Sequence, residues 1–122
     1  MGVWLFLGGL NGFLAVAAGA YGWHLLGGDE MFSMGSRYHM YHALALLAVG
    51  WLASTRPGHG VWAVHLAGAA FTLGIFLFSG TLYAFALTGR VPVAGAAPVG
   101  GALLMVGWLV IGAIGLKAWM RG

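Results

Sequence analysis

The sequence of 122 residues has no cysteine and little charge, with five basic and two acidic side chains. The missing cysteines exclude disulfides, thiolate metal sites and cysteine nucleophiles. A soluble domain carries charge at about a quarter of its positions, whereas charged residues make up 6% here, which excludes a soluble globular fold. Disordered chains are poor in aromatic and apolar residues, and this chain is 61% hydrophobic and 14% aromatic. The composition therefore predicts an integral membrane protein.

Four apolar runs are long enough to cross a bilayer, because a hydrocarbon core of about 30 Å needs roughly 20 helical residues. Helices are predicted over residues 3–26, 31–54, 61–88 and 98–119, with Gly/Pro-rich connections at 55–60 and 89–97. A β-barrel is excluded because the runs are continuously apolar rather than alternating. The expected fold is all-α: an antiparallel up-down four-helix membrane bundle, with residues 1–122 forming a single transmembrane domain.

The basic residues predict the orientation of the bundle. Four spans place both termini on one side of the membrane, together with Arg56, Lys117 and Arg121. Two basic residues, Arg37 and Arg90, fall on the other side. Because Lys and Arg near span ends favour the cytoplasm, both termini are expected there. The basic residues are then explained by membrane orientation and by contact with lipid head groups. The sequence has no basic patch of the kind that binds nucleic acid.

Small residues recur along the first helix at alternating spacings of four and three. This packing seam consists of Gly8, Gly12, Ala15, Gly19 and Gly22. In a bilayer, small residues let helix backbones approach closely. The seam is predicted to face helices within the bundle, and the same pattern also suits a dimer contact.

Aromatic residues concentrate near the predicted span ends. Trp and Tyr are enriched at membrane–water interfaces, where their rings lie at the level of the head groups. Interfacial anchoring is therefore the expected role of most of the following residues: Trp4, Trp23, Trp51, Trp62, Trp119, Tyr21, Tyr38 and Tyr83.

Polar residues are predicted to gather at the non-cytoplasmic surface, where ionisable side chains in a membrane are functional candidates. Helical geometry places four residues of the segment 37–42 within an arc of about 140°, with His39 pointing elsewhere. The ends of the first and third helices reach the same surface, whereas His65 enters from the cytoplasmic side. The predicted polar cluster consists of His24, Arg37, Tyr38, Tyr41, His42, Ser79 and Tyr83.

Two interpretations of the polar cluster are open. Its side chains either hydrogen-bond neighbouring helices and lock the bundle, or they bind a quinone, a lipid or a partner protein. His24 with His39 or His42 is also a candidate pair for a metal or haem. No metal site, cofactor or catalytic residue is predicted, because His39 and His42 are three apart and no carboxylate joins them. Haem, quinone and lipid stay open as ligands.

Four segments of the chain carry a family resemblance. They are R-Y-H-M-Y-H-A-L at 37–44, G-A-Y-G-W-H at 19–24, L-F-S-G-T-L-Y at 77–83 and P-V-G-G at 98–101. With these segments the chain resembles the domain of unknown function 423 family, which is similar to eukaryotic transmembrane protein 256. Tyr21 and Trp23 replace the family's usual small residues, and Thr81 replaces a serine. The resemblance implies a multi-pass, four-helix protein of the bacterial inner membrane and supplies no activity.

The sequence favours a non-enzymatic accessory or scaffold subunit that associates with itself or with a larger membrane complex through the packing seam and the polar cluster. The alternative is a redox, quinone-binding or metal-binding protein that uses His24, His39 and His42. A small proton-coupled transporter is less favoured, because it needs a carboxylate inside the membrane, and Asp29 and Glu30 are expected at the surface. The expected partners are the lipid bilayer and a membrane protein or second copy, with no nucleic acid.

Overall fold

A computed structural model of the chain describes residues 2–55 and 61–122, and these residues form four helices with no strand. The helices are α1 (Gly2–Leu25), α2 (Glu30–Thr55), α3 (Val61–Thr88) and α4 (Ala96–Arg121). The all-α, four-helix fold class is confirmed. Most of the turn expected at 55–60, with Arg56, lies outside the described residues.

Local sequence explains where α1 ends and α2 begins. Gly27 and Gly28 adopt positive φ values of 64° and 77°, a conformation that is easy only for glycine. The Gly28 amide donates to the Gly22 carbonyl at 2.9 Å and closes the end of α1. Asp29 then caps α2, because its Oδ1 accepts from the Phe32 amide at 3.0 Å.

Consecutive helices run antiparallel, which the order of their contacts shows. Early residues of each helix face late residues of the next helix along the chain. Between α1 and α2, Gly8 faces Leu47 and Gly22 faces Phe32. The same reversal holds between α2 and α3, where Gly35 faces Tyr83 and His42 faces Phe71, and between α3 and α4, where Phe71 faces Gly107 and Phe78 faces Gly100. The predicted up-down order of the bundle is therefore the observed one.

The core lies between α2 and α3, each of which buries nine residues, against four on α1 and three on α4. Five of its described side chains are fully covered: Leu46, Val49, Val64, Ala67 and Phe71. Trp4 of the first helix, α1, and Leu104 of the last helix, α4, also pack on this core. Helices α1 and α4 are thus the outer helices and expose broad apolar faces, as the surface of a protein dissolved in lipid does.

The packing seam on α1 lies against α2. A Cβ atom at Gly22 would lie 2.7 Å from the Phe32 ring, and one at Gly8 would lie 2.7 Å from the Leu47 side chain. Ala15 is buried, and Gly19 faces the Ser36 hydroxyl. Ser36 in turn donates to the Ala15 carbonyl at 3.0 Å. The seam is therefore covered within the bundle.

Helices α3 and α4 approach each other through a second set of glycines. A Cβ at Gly100 would lie 2.5 Å from the Phe78 amide nitrogen, and one at Gly74 would lie 2.6 Å from Leu104. Gly107 makes room in the same way for the Phe71 ring. Close backbone approach at these positions maximises van der Waals contact, which drives helix association in lipid.

Of the helices in the described residues, α1, α3 and α4 are long and apolar enough to cross a membrane. Helix α2 is more polar but packs alongside α1 from Phe32 to Leu47, a rise of about 22 Å. A helix held along a spanning neighbour over that distance lies within the bilayer as well. Its polar side chains must then find partners inside the protein.

Candidate functional site

The first polar centre joins α2 to α4 and is called the His42 centre: His42, Tyr38 and Trp108. The Trp108 indole Nε1–H donates to His42 Nε2 at 3.0 Å, and His42 Nδ1 lies 2.6 Å from the Tyr38 carbonyl oxygen. The Tyr38 ring stacks on the imidazole, with ring centroids 6.2 Å apart. His42 itself is 4% exposed.

These contacts define the tautomer of His42. A carbonyl oxygen only accepts, so Nδ1 carries the proton and donates to it. An indole N–H only donates, so Nε2 is the unprotonated acceptor. Both ring nitrogens of a neutral imidazole are therefore engaged, and His42 has no lone pair left for a metal or a substrate.

The second centre joins α2 to α1 and α3 and is called the His39 centre: His39, Asn11 and Tyr83. The Asn11 amide Nδ2 donates to the Leu7 carbonyl at 2.8 Å, which turns its Oδ1 toward His39 Nε2, also at 2.8 Å. His39 Nε2 therefore carries the proton, and Nδ1 accepts from the Tyr83 hydroxyl at 2.9 Å. His39 is neutral in the opposite tautomer to His42.

The predicted single cluster is therefore wrong in its grouping. His39, expected to point away, is buried and bonded to Tyr83, a predicted cluster member. His42 faces α4 instead, because a separation of three residues turns the two side chains about 60° apart around the helix axis. The two histidines thus serve different helix pairs.

Sequence reasoning missed two partners, Asn11 and Trp108. Asn11 is the polar interruption of the first apolar run, and intramembrane polar residues are expected to find partners. Trp108 lies in the middle of α4, away from the interfaces where tryptophan is usually found. Both departures from pattern were visible in the sequence.

The remaining predicted residues divide by depth. Ser79 is 1% exposed, and its hydroxyl donates to the Gly35 carbonyl at 2.8 Å, which ties α3 to α2. Tyr41 lies against Tyr38 with its ring largely exposed. His24 and Arg37 are exposed. Arg37, a predicted member of the polar cluster, lies on the outer surface of α2 and not within the bundle.

Trp4 is a further correction, because it was expected to anchor at the interface and is instead buried against α3. Its Nε1–H donates to His65 Nδ1 at 2.8 Å, and its rings cover Gly68. Four other tryptophans are more than 60% exposed, which is expected of side chains that face lipid or head groups: Trp23, Trp51, Trp62 and Trp119.

Two open cavities adjoin the polar centres. The α2–α4 groove has a volume of about 580 Å³ and is lined by Met34, Tyr38, Tyr41, His42, Phe78, Gly101, Leu104, Met105 and Trp108. The α1–α3 cleft has a volume of about 450 Å³. The cleft is lined by Asn11, Leu14, Ala18, His39, Thr72, Ile75, Phe76, Ser79, Gly80 and Tyr83. Both cavities fall in the size range of small-molecule sites.

The candidate metal pairings are not assembled by the fold. His24 is exposed on α1, His39 faces α1 and α3, and His42 faces α4. Within the described residues, no three His, Cys, Asp or Glu side chains form a group that could hold a metal ion. In the same residues, no buried side-chain nitrogen or oxygen lacks a hydrogen-bond partner. The hydrogen bonds of both centres join neighbouring helices.

A family model described as "Protein of unknown function (DUF423)" matches residues 18–101, which include both histidines, Ser79 and Tyr83. The UPF0382 membrane protein YwdK of Bacillus subtilis is 40% identical over 118 residues, covering 91% of this chain and 94% of the relative. The UPF0382 membrane protein SERP0230 of Staphylococcus epidermidis is 42% identical over 118 residues, covering 91% and 93%. The UPF0382 inner membrane protein YgdD of Escherichia coli is 36% identical over 121 residues, covering 93% and 90%. No solved structure matches the chain.

Proposed function

We propose that this chain, which belongs to the DUF423 family of unknown function, acts as a non-enzymatic accessory or scaffold subunit in the bacterial inner membrane. The observation that carries the proposal is the use of His39 and His42. Their four ring nitrogens are all engaged in hydrogen bonds within the bundle. A catalytic or proton-carrying histidine needs a nitrogen that can reach a substrate or water.

The placement of the acids supports the same proposal. Asp29 caps α2, and Glu30 lies in its first turn. No other acidic residue occurs in the sequence. Proton-coupled exchange of the kind considered above uses a carboxylate within the membrane, so the transporter hypothesis is not supported.

Association is proposed to use the outer face of α4. The seam on α1, which the sequence offered for association, is already covered by α2. Toward its end, α4 exposes Gly112 and Gly115, and nothing lies within 4 Å of where their Cβ atoms would be. Leu116 and Trp119 extend the same exposed region. An apolar helix with open glycines offers close contact to another membrane helix.

Location and orientation complete the proposal. The name of the Escherichia coli relative supports the inner membrane. Lys117 and Arg121 are exposed at the end of α4, which supports cytoplasmic termini.

The test is the mass of the gently solubilised protein, measured by native mass spectrometry or by light scattering. We expect the full chain to run as an oligomer or with a co-purifying membrane protein. A Gly112→Leu/Gly115→Leu variant should release a monomer, whereas Ala113→Leu, on another face of the same turn, should not. A wild-type monomer with no partner would contradict the proposal.

A further inference from the structure

We propose that the α2–α4 groove binds a lipid-soluble molecule with a planar ring, carbonyl acceptors and an apolar tail, which is the chemistry of an isoprenoid quinone. This site goes beyond the proposed accessory role, which needs no ligand. His24, His39 and His42 do not bind the molecule directly, and the proposal includes no redox step.

The walls of the groove suit a planar ring. Tyr38 lies at their centre, with its ring centroid 5.3 Å from that of Phe78 and 5.6 Å from that of Tyr41. Trp108 closes the groove on the α4 side. Aromatic side chains favour offset or edge contacts with another ring, and the flexible thioethers of Met34 and Met105 adapt to its outline.

Tyr38 and Tyr41, which line the same groove, each carry a phenol hydroxyl that can donate a hydrogen bond. Within the described part of the chain, the hydroxyls of Tyr38 and Tyr41 make no hydrogen bond, whereas that of Tyr83 is bonded to His39. A hydroxyl without a partner in an apolar environment costs a few kcal/mol. Carbonyl oxygens on a bound ring accept from such donors and remove that cost.

The depth of these tyrosines favours a ring with its own carbonyls over a phospholipid. Helix α2 has 26 residues, so it measures about 39 Å. A helix of that length centred on a hydrocarbon core of about 30 Å extends only about 5 Å beyond the core at each end. Tyr41 lies eleven residues after Glu30, or about 16 Å along the axis. Phospholipid ester groups stay near the head-group level, whereas a lipid-soluble ring brings its acceptors to this depth.

His42 has a positioning role in this site. It is bonded to the Tyr38 carbonyl and to the Trp108 indole, so it fixes one wall on α2 and one on α4. Because both of its ring nitrogens are engaged, the tyrosines, and not the histidine, are the donors to the ligand. The open side of the groove leaves room for an apolar tail.

The test is calorimetric titration of the purified full chain in detergent with ubiquinone-2, a quinone with a short tail. We expect saturable binding with one quinone per chain. A Tyr38→Phe/Tyr41→Phe variant keeps the rings, loses both hydroxyls and should bind at least roughly tenfold more weakly. Tyr21→Phe, which removes an exposed phenol from α1 outside the groove, should bind like the wild type.

A second variant keeps the test independent of the tyrosines. Position 101 has only ordinary contacts with Phe78, the nearest at 3.7 Å, so Gly101→Leu should fill the groove and abolish binding while the protein stays folded. Absence of saturable quinone binding by the wild type would overturn the proposal, as would binding that survives both variants. A phospholipid that stays bound in native mass spectra, and that ubiquinone-2 does not displace, would also overturn it.

Discussion

A buried histidine in a membrane helix is tolerated only when its polar atoms are hydrogen-bonded, because lipid supplies no partners. His39 and His42 meet this demand through different neighbours and in opposite tautomers. Each receives an N–H or O–H from an aromatic residue on another helix, as does His65 from Trp4. Hydrogen bonds from an aromatic residue to a histidine thus join α1 to α3, α3 to α2 and α4 to α2.

The Trp108 to His42 bond predicts a specific loss of stability. Trp108→Phe removes the indole N–H and leaves the buried His42 Nε2 without a donor. Such an orphaned acceptor costs about 1–3 kcal/mol, so the variant should unfold at a lower SDS fraction in an SDS titration of detergent micelles.

The matched control for this variant is Trp62→Phe. Trp62 is 69% exposed on α3, and its replacement should leave the unfolding midpoint unchanged. Equal midpoints for Trp108→Phe and the wild type would show that the α2–α4 bond contributes nothing to stability.

Helical periodicity accounts for part of the geometry around the histidines. Helical periodicity placed Tyr38, Tyr41 and His42 on one face, and all three line the α2–α4 groove. It placed His39 off that face but did not show that α1 supplies Asn11 to it. Periodicity gives the direction of a side chain on its own helix. The residue opposite depends on how the neighbouring helix is rotated and shifted, which no single segment encodes.

At the scale of helices, glycines decide which pairs pack closely. The seam on α1 was visible because five small residues repeat along one helix. The contact between α3 and α4 was not, because Gly74 lies on one helix while Gly100 and Gly107 lie on the other. Two glycines on one helix and one on the other make too short a pattern to indicate a seam in either sequence.

Two adjacent glycines provide a direct test of the α3–α4 contact. Gly100→Ala should destabilise the bundle by about 1–3 kcal/mol, because its Cβ would meet the Phe78 backbone and the helices would have to separate. Gly101→Ala meets nothing closer than 3.7 Å, so the higher helix propensity of alanine should leave stability equal or slightly higher. The same unfolding titration measures both, and equal destabilisation would contradict the packing described here.

For the whole molecule, composition was enough to predict the class. Few charges and long apolar runs exclude any fold other than membrane helices, and the four-helix class is confirmed. The organisation of residues 1–122 as a single transmembrane domain and the orientation of the termini stay predictions. The arrangement with α2 and α3 inside was not predicted, because the periodicity of one helix does not show which neighbouring helices cover its faces.

Orientation is testable because the chain contains no cysteine. Single variants Val91→Cys, in the exposed connection between α3 and α4, and Gly122→Cys, after α4, report opposite sides of the membrane. A membrane-impermeant maleimide should label position 91 in spheroplasts, and position 122 only after permeabilisation. The reverse pattern would place the termini outside the cytoplasm.

The two buried histidines are fixed, neutral and fully engaged in hydrogen bonds within the bundle. Long-range ¹H–¹⁵N correlation spectra of the histidine-labelled protein in micelles at pH 7 test this directly, with His39→Leu and His42→Leu variants assigning the signals. We predict two neutral rings in opposite tautomers, His42 protonated at Nδ1 and His39 at Nε2. Protonated rings, or rings that average between tautomers, would contradict this assignment of fixed, neutral histidines.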